Sequence, residues 1–203
     1  MNQKLQSVFM AAFIVVVFLF SISVVFSQAN SNAQSSGYYQ LTLVIENQTS
    51  GDNGIGNMYS FYVLNGNTLE PSSVIKVPFG KEVKITIINY DQGTSMPLTA
   101  SAENVSGIVG GTIMTSSSIS IPLAKYLAPQ SAYSVSNISA GEISHTFTTS
   151  TGLNIPIFPH STEVGYTYFN AVGNYSWACM CQCGALSMGS AGSMMGELVV
   201  LPP

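Results

Sequence analysis

A cysteine-rich stretch near the C-terminus decides the fold, and it reads Gly173-Asn-Tyr-Ser-Trp-Ala-Cys179-Met-Cys181-Gln-Cys183-Gly-Ala-Leu-Ser-Met188, then Gly-Ser-Ala-Gly-Ser-Met194-Met195-Gly196-Glu-Leu-Val-Val. Side chains alternate between the two faces of a strand, so Tyr175, Trp177 and Cys179 share one face. We therefore predict a strand over residues 175–179, a loop of sulfur-bearing residues, and a second strand over residues 197–201. If the shared face is the core, Cys179 lies at the rim of the domain.

The rest of the chain from residue 38 onward has the same strand-and-turn character. Short runs of β-branched and aromatic residues alternate with turn residues, and they predict strands over residues 38–46, 60–64, 83–88, 143–149 and 163–169. An amphipathic helix of 12 or more residues does not occur in this part of the sequence, which argues against a parallel α/β fold. Residues 38–203 are therefore predicted to form one antiparallel, all-β domain. A Ser/Gly/Ala-rich insertion is expected at about 94–140, with its clearest strand signal at 119–121.

The N-terminus predicts the compartment. Residues 8–26 form an apolar run of 19 residues, interrupted only by Ser21 and Ser23, which is long enough to cross about 30 Å of hydrocarbon as a helix. Lys4 favours an N-inside orientation, so residues 1–7 are expected in the cytoplasm and a Ser/Asn-rich linker over residues 27–37 outside it. A cleaved signal peptide is the alternative. Both interpretations place the β domain on the extracytoplasmic side of the cell membrane.

Composition excludes several classes of protein. Charged residues make up 7% of the 203, against about 25% in an ordinary soluble domain. The 5 cationic residues are scattered lysines, which excludes a nucleic-acid partner. Because a charge-poor surface keeps its properties in strong acid, we hypothesise an acidic exterior, as for an acidophile. Four glycosylation sequons further predict a glycoprotein, and they begin at Asn47, Asn104, Asn137 and Asn174.

The side chains that could carry chemistry are the sulfur-bearing residues and the histidines. Thiolate and thioether ligands select copper among common metals, and imidazole completes such sites. The three cysteines also allow one disulfide plus a free thiol, and methionines near the loop also suit core packing. Hydrolase and phosphate-binding motifs such as Gly-x-Ser-x-Gly and His-Glu-x-x-His do not occur in the sequence.

Several segments resemble the cupredoxins, and most closely subunit II of haem-copper terminal oxidases. Residues 76–87 resemble the turn and strand that open the copper domain, residues 143–159 the segment with the first histidine ligand, and residues 173–184 the segment with two bridging cysteines. Met194-x-Gly196-x-Leu198 resembles the axial methionine and closing strand of mononuclear cupredoxins. The resemblance covers about half of the chain. It implies a cupredoxin-like Greek-key β-sandwich or barrel behind one N-terminal transmembrane helix.

The resemblance also implies a copper ligand set, namely His145, Cys179, Cys183 and a methionine, for which Met194 is the first candidate and Met188 and Met195 are alternatives. The family's second histidine falls on Ser187, its acidic residue between the cysteines on Cys181, and its methionine on Ser190. In a mononuclear site the second histidine would fall near Gln182. The other histidine, His160, is expected in a turn. Two alternatives therefore remain: the site binds copper, or it is degenerate and has lost copper, as in an archaeal, quinol-oxidase-like subunit II.

The function implied is that of a membrane-anchored subunit II-like component of a respiratory terminal oxidase, which admits electrons or docks the donor. The subunit would not be catalytic itself, because oxygen reduction occurs in an integral-membrane partner subunit. The donor would be a quinol or a small redox protein. Two alternatives remain, a free-standing, membrane-anchored mononuclear blue-copper carrier and a non-metal β-sandwich for surface adhesion.

Overall fold

Strands in two sheets make up about half of the described part of the chain, which comprises residues 37–47, 59–116, 132–183, 185–189 and 191–203 of a computed structural model. At residues 185 and 186 only the main chain is described. The predicted cytoplasmic segment, the anchor over residues 8–26, the linker up to residue 36 and the strand signal at 119–121 lie outside these ranges. Within them, no helix has both the length and the hydropathy that a membrane crossing needs.

Twelve strands and one short helix are found in the described residues: β1 (Tyr39–Asn47), β2 (Tyr59–Asn65), β3 (Thr68–Pro71), β4 (Val74–Pro78), β5 (Glu82–Asn89), β6 (Ile113–Ser116), β7 (Tyr133–Val135), β8 (His145–Thr149), β9 (Asn154–Ile157), β10 (Thr162–Tyr168), β11 (Gly173–Ala178), α1 (Ala185–Met188) and β12 (Met195–Leu201). The same residues also contain short 3₁₀ segments at Ala100–Glu103, Val109–Gly111 and Ala140–Glu142.

The strands form two mixed sheets. The larger sheet has the order β3-β2-β1-β5-β10-β6-β7, and the smaller has the order β4-β12-β11-β8-β9. Most neighbouring strands are antiparallel, but β1 runs parallel to β5 and β4 runs parallel to β12. The prediction of a purely antiparallel domain is therefore wrong. The all-β class is correct, because the described residues between the members of each parallel pair form further strands and no helix longer than the four-residue α1.

Alternating apolar residues build the core between the sheets. In β5, the side chains of Val83, Ile85 and Ile87 are fully buried, whereas Lys84 and Thr86 between them are only half-buried. This period of two is what a strand with one core face requires. The rings of Phe61, Phe147 and Trp177 pack together, with centroids 5.3–6.1 Å apart. The Phe61 ring also lies 6.4 Å from the His145 ring, so the aromatic core extends to the residue that begins β8.

Each of the seven predicted strands is confirmed, with shifts of a few residues at the ends. The five strands that were not predicted are β3, β4, β6, β7 and β9. Most of them are short, and β9 contains Pro156, a residue that normally signals a turn. Because β9 is an edge strand of the smaller sheet, the missing N–H of proline is tolerated there. Within residues 94–140, β6 and β7 extend the larger sheet beyond β10.

Gly196 leaves room for the buried tryptophan. It faces Trp177 across the β11–β12 pair, and the Trp177 indole N–H donates a 3.1 Å hydrogen bond to the carbonyl of Ser72. A Cβ atom at Gly196 would lie 2.6 Å from the indole nitrogen and under 3.0 Å from the carbonyl oxygens of Ser72 and Ser73. The smaller sheet therefore requires glycine at this position.

We expect Gly196→Ala to lower the free energy of unfolding by about 1–3 kcal/mol, the usual cost of overpacking a core. Gly141→Ala is the matched control, because a Cβ atom there meets nothing within 4 Å. Urea unfolding followed by the fluorescence of Trp177, the single tryptophan, measures both. Equal unfolding midpoints for the two variants would contradict the packing argument.

A second buried feature is the carboxyl group of Glu163 on β10, which is 1% exposed. Its Oε1 accepts hydrogen bonds from the Phe158 N–H at 3.1 Å and from the hydroxyls of Ser161 at 2.6 Å and Thr115 at 3.3 Å. Its Oε2 has no partner among the described residues. Burial raises the pKa of Glu163 to about 8, although these hydrogen bonds oppose the shift. The folded protein therefore favours the neutral acid.

This shift predicts that the fold loses stability as the pH rises. Between the ordinary pKa of 4.5 and about 8, the folded state holds a proton that the unfolded chain has released. The stability that this proton contributes to the folded state is complete below pH 4.5 and is lost as the pH rises through about 8. The unfolding equilibrium constant should therefore increase up to about tenfold per pH unit in that window. Urea unfolding from about pH 4 to about pH 9 measures it.

The isosteric variant Glu163→Gln should lack this part of the pH dependence, because its amide stays neutral. Glu142→Gln, which changes an exposed carboxyl group, is the control and should follow the wild-type profile. Parallel profiles for wild type and Glu163→Gln would show that the buried carboxyl group does not hold its proton.

Candidate metal centre

The smaller sheet brings the end of one strand to the start of another. β11 pairs antiparallel with β8, with Ala178 opposite Thr148, so the chain that leaves β11 at Cys179 runs toward His145, which begins β8. Two hydrogen bonds fix this meeting point. The Thr146 N–H points at the Cys179 sulfur at 3.4 Å, and the Met180 N–H donates to the Thr146 hydroxyl at 2.7 Å.

The cysteine loop is held by an extended segment from elsewhere in the chain. The Leu98 N–H donates to the Met180 carbonyl at 2.8 Å, and the Gln182 N–H donates to the Met96 carbonyl at 2.9 Å. Pro97 and Cys181 form a β-bridge between these bonds. The loop therefore turns back on itself in a fixed conformation and returns Cys183 toward Cys179.

Three ligand atoms converge at this rim. The Nδ1 of His145 lies 3.1 Å from the sulfur of Cys183 and 3.9 Å from the sulfur of Cys179, and the two sulfurs are 3.0 Å apart. His145 and Cys179 are buried, whereas Cys183 is partly exposed. All three cysteines are free thiols in this structure. His145, Cys179 and Cys183, which the sequence analysis named together, thus meet in the structure, and their role as metal ligands stays a prediction.

These three distances are compatible with one metal ion bound to all three atoms. A triangle with sides of 3.0, 3.1 and 3.9 Å has a circumscribed radius of about 2.0 Å. Points therefore exist at about 2.0–2.3 Å from all three atoms, which is the usual length of metal–nitrogen and metal–sulfur bonds. One imidazole and two thiolates form a soft donor set of the kind that selects copper or zinc.

The second nitrogen of the imidazole is held by a residue that the sequence analysis did not identify. The Nε2 of His145 lies 3.0 Å from the Oδ2 of Asp91, and the two side chains are 2% and 13% exposed. Burial disfavours the charged carboxylate, but hydrogen bonds from His145 and Gly93 outweigh it and hold the pKa of Asp91 below its ordinary value. A carboxylate behind the ring is the usual support of a metal-ligating histidine.

The electrostatics of the metal-free site favour an imidazolium beside a thiolate. Burial alone would lower the pKa of His145, but its hydrogen bonds with Asp91 and Cys179 raise it to about 9. Burial alone would raise the pKa of Cys179, but its contacts with Cys181, Cys183 and His145 lower it well below the ordinary value. The hydrogen bond with Cys179, together with burial, raises the pKa of Cys183. One of the two sulfurs is thus already in the form that binds a metal.

The other residues that the sequence analysis named have different places in the structure. Met194 is fully buried in the same core, and its carbonyl accepts a 2.8 Å hydrogen bond from the Cys179 N–H; its role as a sulfur ligand stays a prediction. Cys181 is buried but is not part of the converging group. Ser187, where the resemblance places a second histidine, is buried in α1. His160 lies in a turn with a φ of 46°, as expected.

Asp91 gave no sequence signal for its contact with His145. The local pattern Asp91-Gln92-Gly93 predicts a turn closed by the side chain, and the Gly93 N–H does donate to Asp91 Oδ1 at 2.8 Å. The contact with His145 spans 54 positions, and it depends on how the ends of β5 and β8 face each other. Without the three-dimensional pairing, an aspartate in a turn is indistinguishable from an ordinary turn residue.

Comparison with known proteins shows remote similarity of fold. No protein-family model and no curated protein matches the chain. Among solved structures, a multicopper oxidase is 15% identical over 80% of this chain and 44% of its own, with a TM-score of 0.39. A haem-copper terminal oxidase chain is 14% identical over 98% of this chain and 100% of its own, with a TM-score of 0.37. Rusticyanin, a copper protein, is 13% identical over 81% and 78%, with a TM-score of 0.33.

Fold and site together define a class. The chain is an all-β protein with two mixed sheets and a histidine–dicysteine group at one rim, supported by a partly buried carboxylate. The chain spans less than half of the multicopper oxidase to which it is similar. These similarities lie at TM-scores below 0.5.

Proposed function

We propose that the β domain is an electron-transfer domain with one copper ion held by Nδ1 of His145 and the sulfurs of Cys179 and Cys183, with Met194 as a further ligand. The observation that carries the proposal is the triangle of one nitrogen and two sulfurs, which leaves a point at bonding distance from all three. Copper in such a site supplies reversible one-electron chemistry.

The protein's own residues provide position and shielding. Asp91 orients the imidazole, and the Thr146 N–H lies 3.4 Å from the Cys179 sulfur, where a hydrogen bond tunes the electron density of a thiolate ligand. The Phe61 and Tyr59 rings lie 6.4 and 6.1 Å from the His145 ring and keep water from its faces. Cys183 is partly exposed, so the site is close enough to the surface for an electron to enter or leave.

The finer role that we propose is that of a membrane-anchored subunit II-like component of a haem-copper terminal oxidase. Its supports are the apolar run over residues 8–26, the resemblance of residues 143–159 and 173–184 to that family, and the site itself. The domain would stand on the extracytoplasmic side, beside an integral-membrane catalytic subunit, and receive electrons from a quinol or a small redox protein. The acidic exterior and the glycosylation of the sequons belong to the same proposal.

The copper site is tested on the full-length protein, purified without oxygen and with a reductant. We expect one copper(I) ion per chain. Because each removes a ligand, His145→Ala and Cys183→Ser should each weaken binding by more than the roughly 10–100-fold that loss of an outer partner costs. Metal analysis and competition with a copper(I) chelator measure both quantities.

A matched control is available within the same chain. His160→Ala removes the other histidine, which lies outside the group, and it should bind copper like the wild type. Equal binding by wild type and Cys183→Ser would contradict the site. Zinc in place of copper, or a Cys179–Cys183 disulfide in natively purified protein, would contradict the electron-transfer function.

Membership of an oxidase is tested by purifying the tagged chain from its own membranes. We expect a haem-containing integral-membrane protein to co-purify with it. A copper-loaded chain that purifies alone would instead favour the free-standing blue-copper carrier. A chain that purifies alone and never takes up copper would favour the surface β-sandwich without a metal.

A further inference from the structure

We propose that Asp91 is the positioning residue of the candidate metal centre: it ties the imidazole of His145 across the rim of the sandwich and leaves Nδ1 directed at the two sulfurs. This inference rests on the proposed copper site and adds a residue that the family resemblance did not supply. Asp91 would not touch the ion; it would act through the ring of His145.

The carboxylate of Asp91 is surrounded by hydrogen-bond donors. Its Oδ2 lies 3.0 Å from the Nε2 of His145 and 3.5 Å from the hydroxyl of Ser144, and its Oδ1 accepts from the Gly93 N–H at 2.8 Å. The hydroxyl of Tyr59 is a further hydrogen-bond partner. Because an ionised carboxylate can only accept hydrogen bonds, this environment suits a fixed negative charge.

The main chain of Asp91 is also fixed on both sides. Its N–H donates to the side-chain oxygen of Asn89 at 3.0 Å, and its carbonyl accepts the N–H of His160 at 2.7 Å. Asn89 is itself bonded to the turn that precedes β10. Its side-chain amide donates to the carbonyl of Phe158 and its main-chain N–H donates to the carbonyl of Ser161, at 2.8 Å each. The carboxylate therefore has a set position, and the imidazole must adapt to it.

This arrangement determines which nitrogen of His145 is available. Since the carboxylate accepts but does not donate, the Nε2 of His145 must carry a hydrogen, and in the neutral ring the lone pair then resides on Nδ1. Nδ1 is the atom that lies 3.1 and 3.9 Å from the two sulfurs. Rotation of the ring away from the sulfurs would break the bond to Asp91.

The contact between Asp91 and His145 also joins the two sheets. Asp91 follows β5 of the larger sheet, whereas His145 begins β8 of the smaller sheet. Among the described residues, this is the ion pair that bridges the sheets at the rim. The hydrogen bonds of Thr146 hold the main chain of β8 beside the cysteine loop, and the contact with Asp91 adds a partner from the other sheet that orients the ring.

The experiment uses the full-length protein with copper(I), in wild type, Asp91→Ala and Asp91→Asn. We expect Asp91→Ala to weaken copper(I) binding about 10–100-fold, as measured against a chelator, because an outer-shell partner is lost. Asp91→Asn keeps an oxygen acceptor and should recover part of that loss. Glu70→Gln is the control, since it changes an exposed carboxylate that accepts a hydrogen bond from Asn65 at 2.9 Å on edge strand β3.

A second readout separates positioning from general stability. In the copper(I) protein, which is diamagnetic, ¹⁵N NMR should show the Nε2–H of His145 as a slowly exchanging proton with Nδ1 bound to the metal. In Asp91→Ala the proton should exchange rapidly, and in Glu70→Gln it should not. If Asp91→Ala fails to fold, Asp91→Asn supplies the comparison.

The outcomes distinguish the two proposals. If the wild type binds copper(I) and Asp91→Ala matches it in affinity and in exchange of Nε2–H, positioning by Asp91 is overturned and the copper site stands. If the wild type binds no copper(I), the proposed function fails. In that case the Nε2–H signal of the metal-free protein alone tests the hydrogen bond between Asp91 and His145. Loss of the signal in Asp91→Ala supports positioning by Asp91, and persistence of the signal overturns it.

Discussion

The structure depends on one buried imidazole, which lies between a carboxylate and two sulfurs where the two sheets meet. His145 is 2% exposed by side chain, so neither of its nitrogens can exchange protein partners for bulk water. A buried polar ring must be hydrogen-bonded on both sides to avoid a desolvation penalty. The larger sheet supplies one partner through Asp91, and the smaller sheet supplies the other through the cysteine loop. The rim is consequently closed by a polar contact instead of by hydrophobic packing alone.

Much of the fold follows from local sequence, and the part that does not is non-local. The alternation in β5 and the pattern around Trp177 are visible because each residue's face is set by its neighbours. The parallel pairing of β4 with β12 is invisible locally, since it joins strands from opposite ends of the domain. β9 is hidden for a different reason: Pro156 suggests a turn, and only its place at a sheet edge makes it compatible with a strand.

The candidate site likewise contains residues that local sequence predicts and a residue that it does not. His145, Cys179 and Cys183 could be predicted because their residue types are rare in this chain and resemble a known pattern, with 2 histidines and 3 cysteines in 203 positions. Asp91 could not, because aspartate in a turn before Gly93 has a sufficient local explanation. Its second role depends on the approach of β8 to β5. Residues that bind a metal leave a trace in sequence, whereas residues that orient a ligand act through tertiary geometry.

Charge balance explains how such a site persists in the core of a charge-poor chain. Without a metal, the favoured forms are the Asp91 carboxylate, the Cys179 thiolate and the His145 imidazolium, while Cys183 keeps its proton. A divalent ion that displaced the imidazole proton and the Cys183 proton would add two positive charges and remove two. The net charge of the buried group would not change, so the ion would meet its ligands without an uncompensated charge to bury. In this sense the metal-free protein already has the net charge of a site loaded with a divalent ion, with two protons in place of the ion. Asp91 favours the proton on His145, whereas Cys179 and burial favour the proton on Cys183.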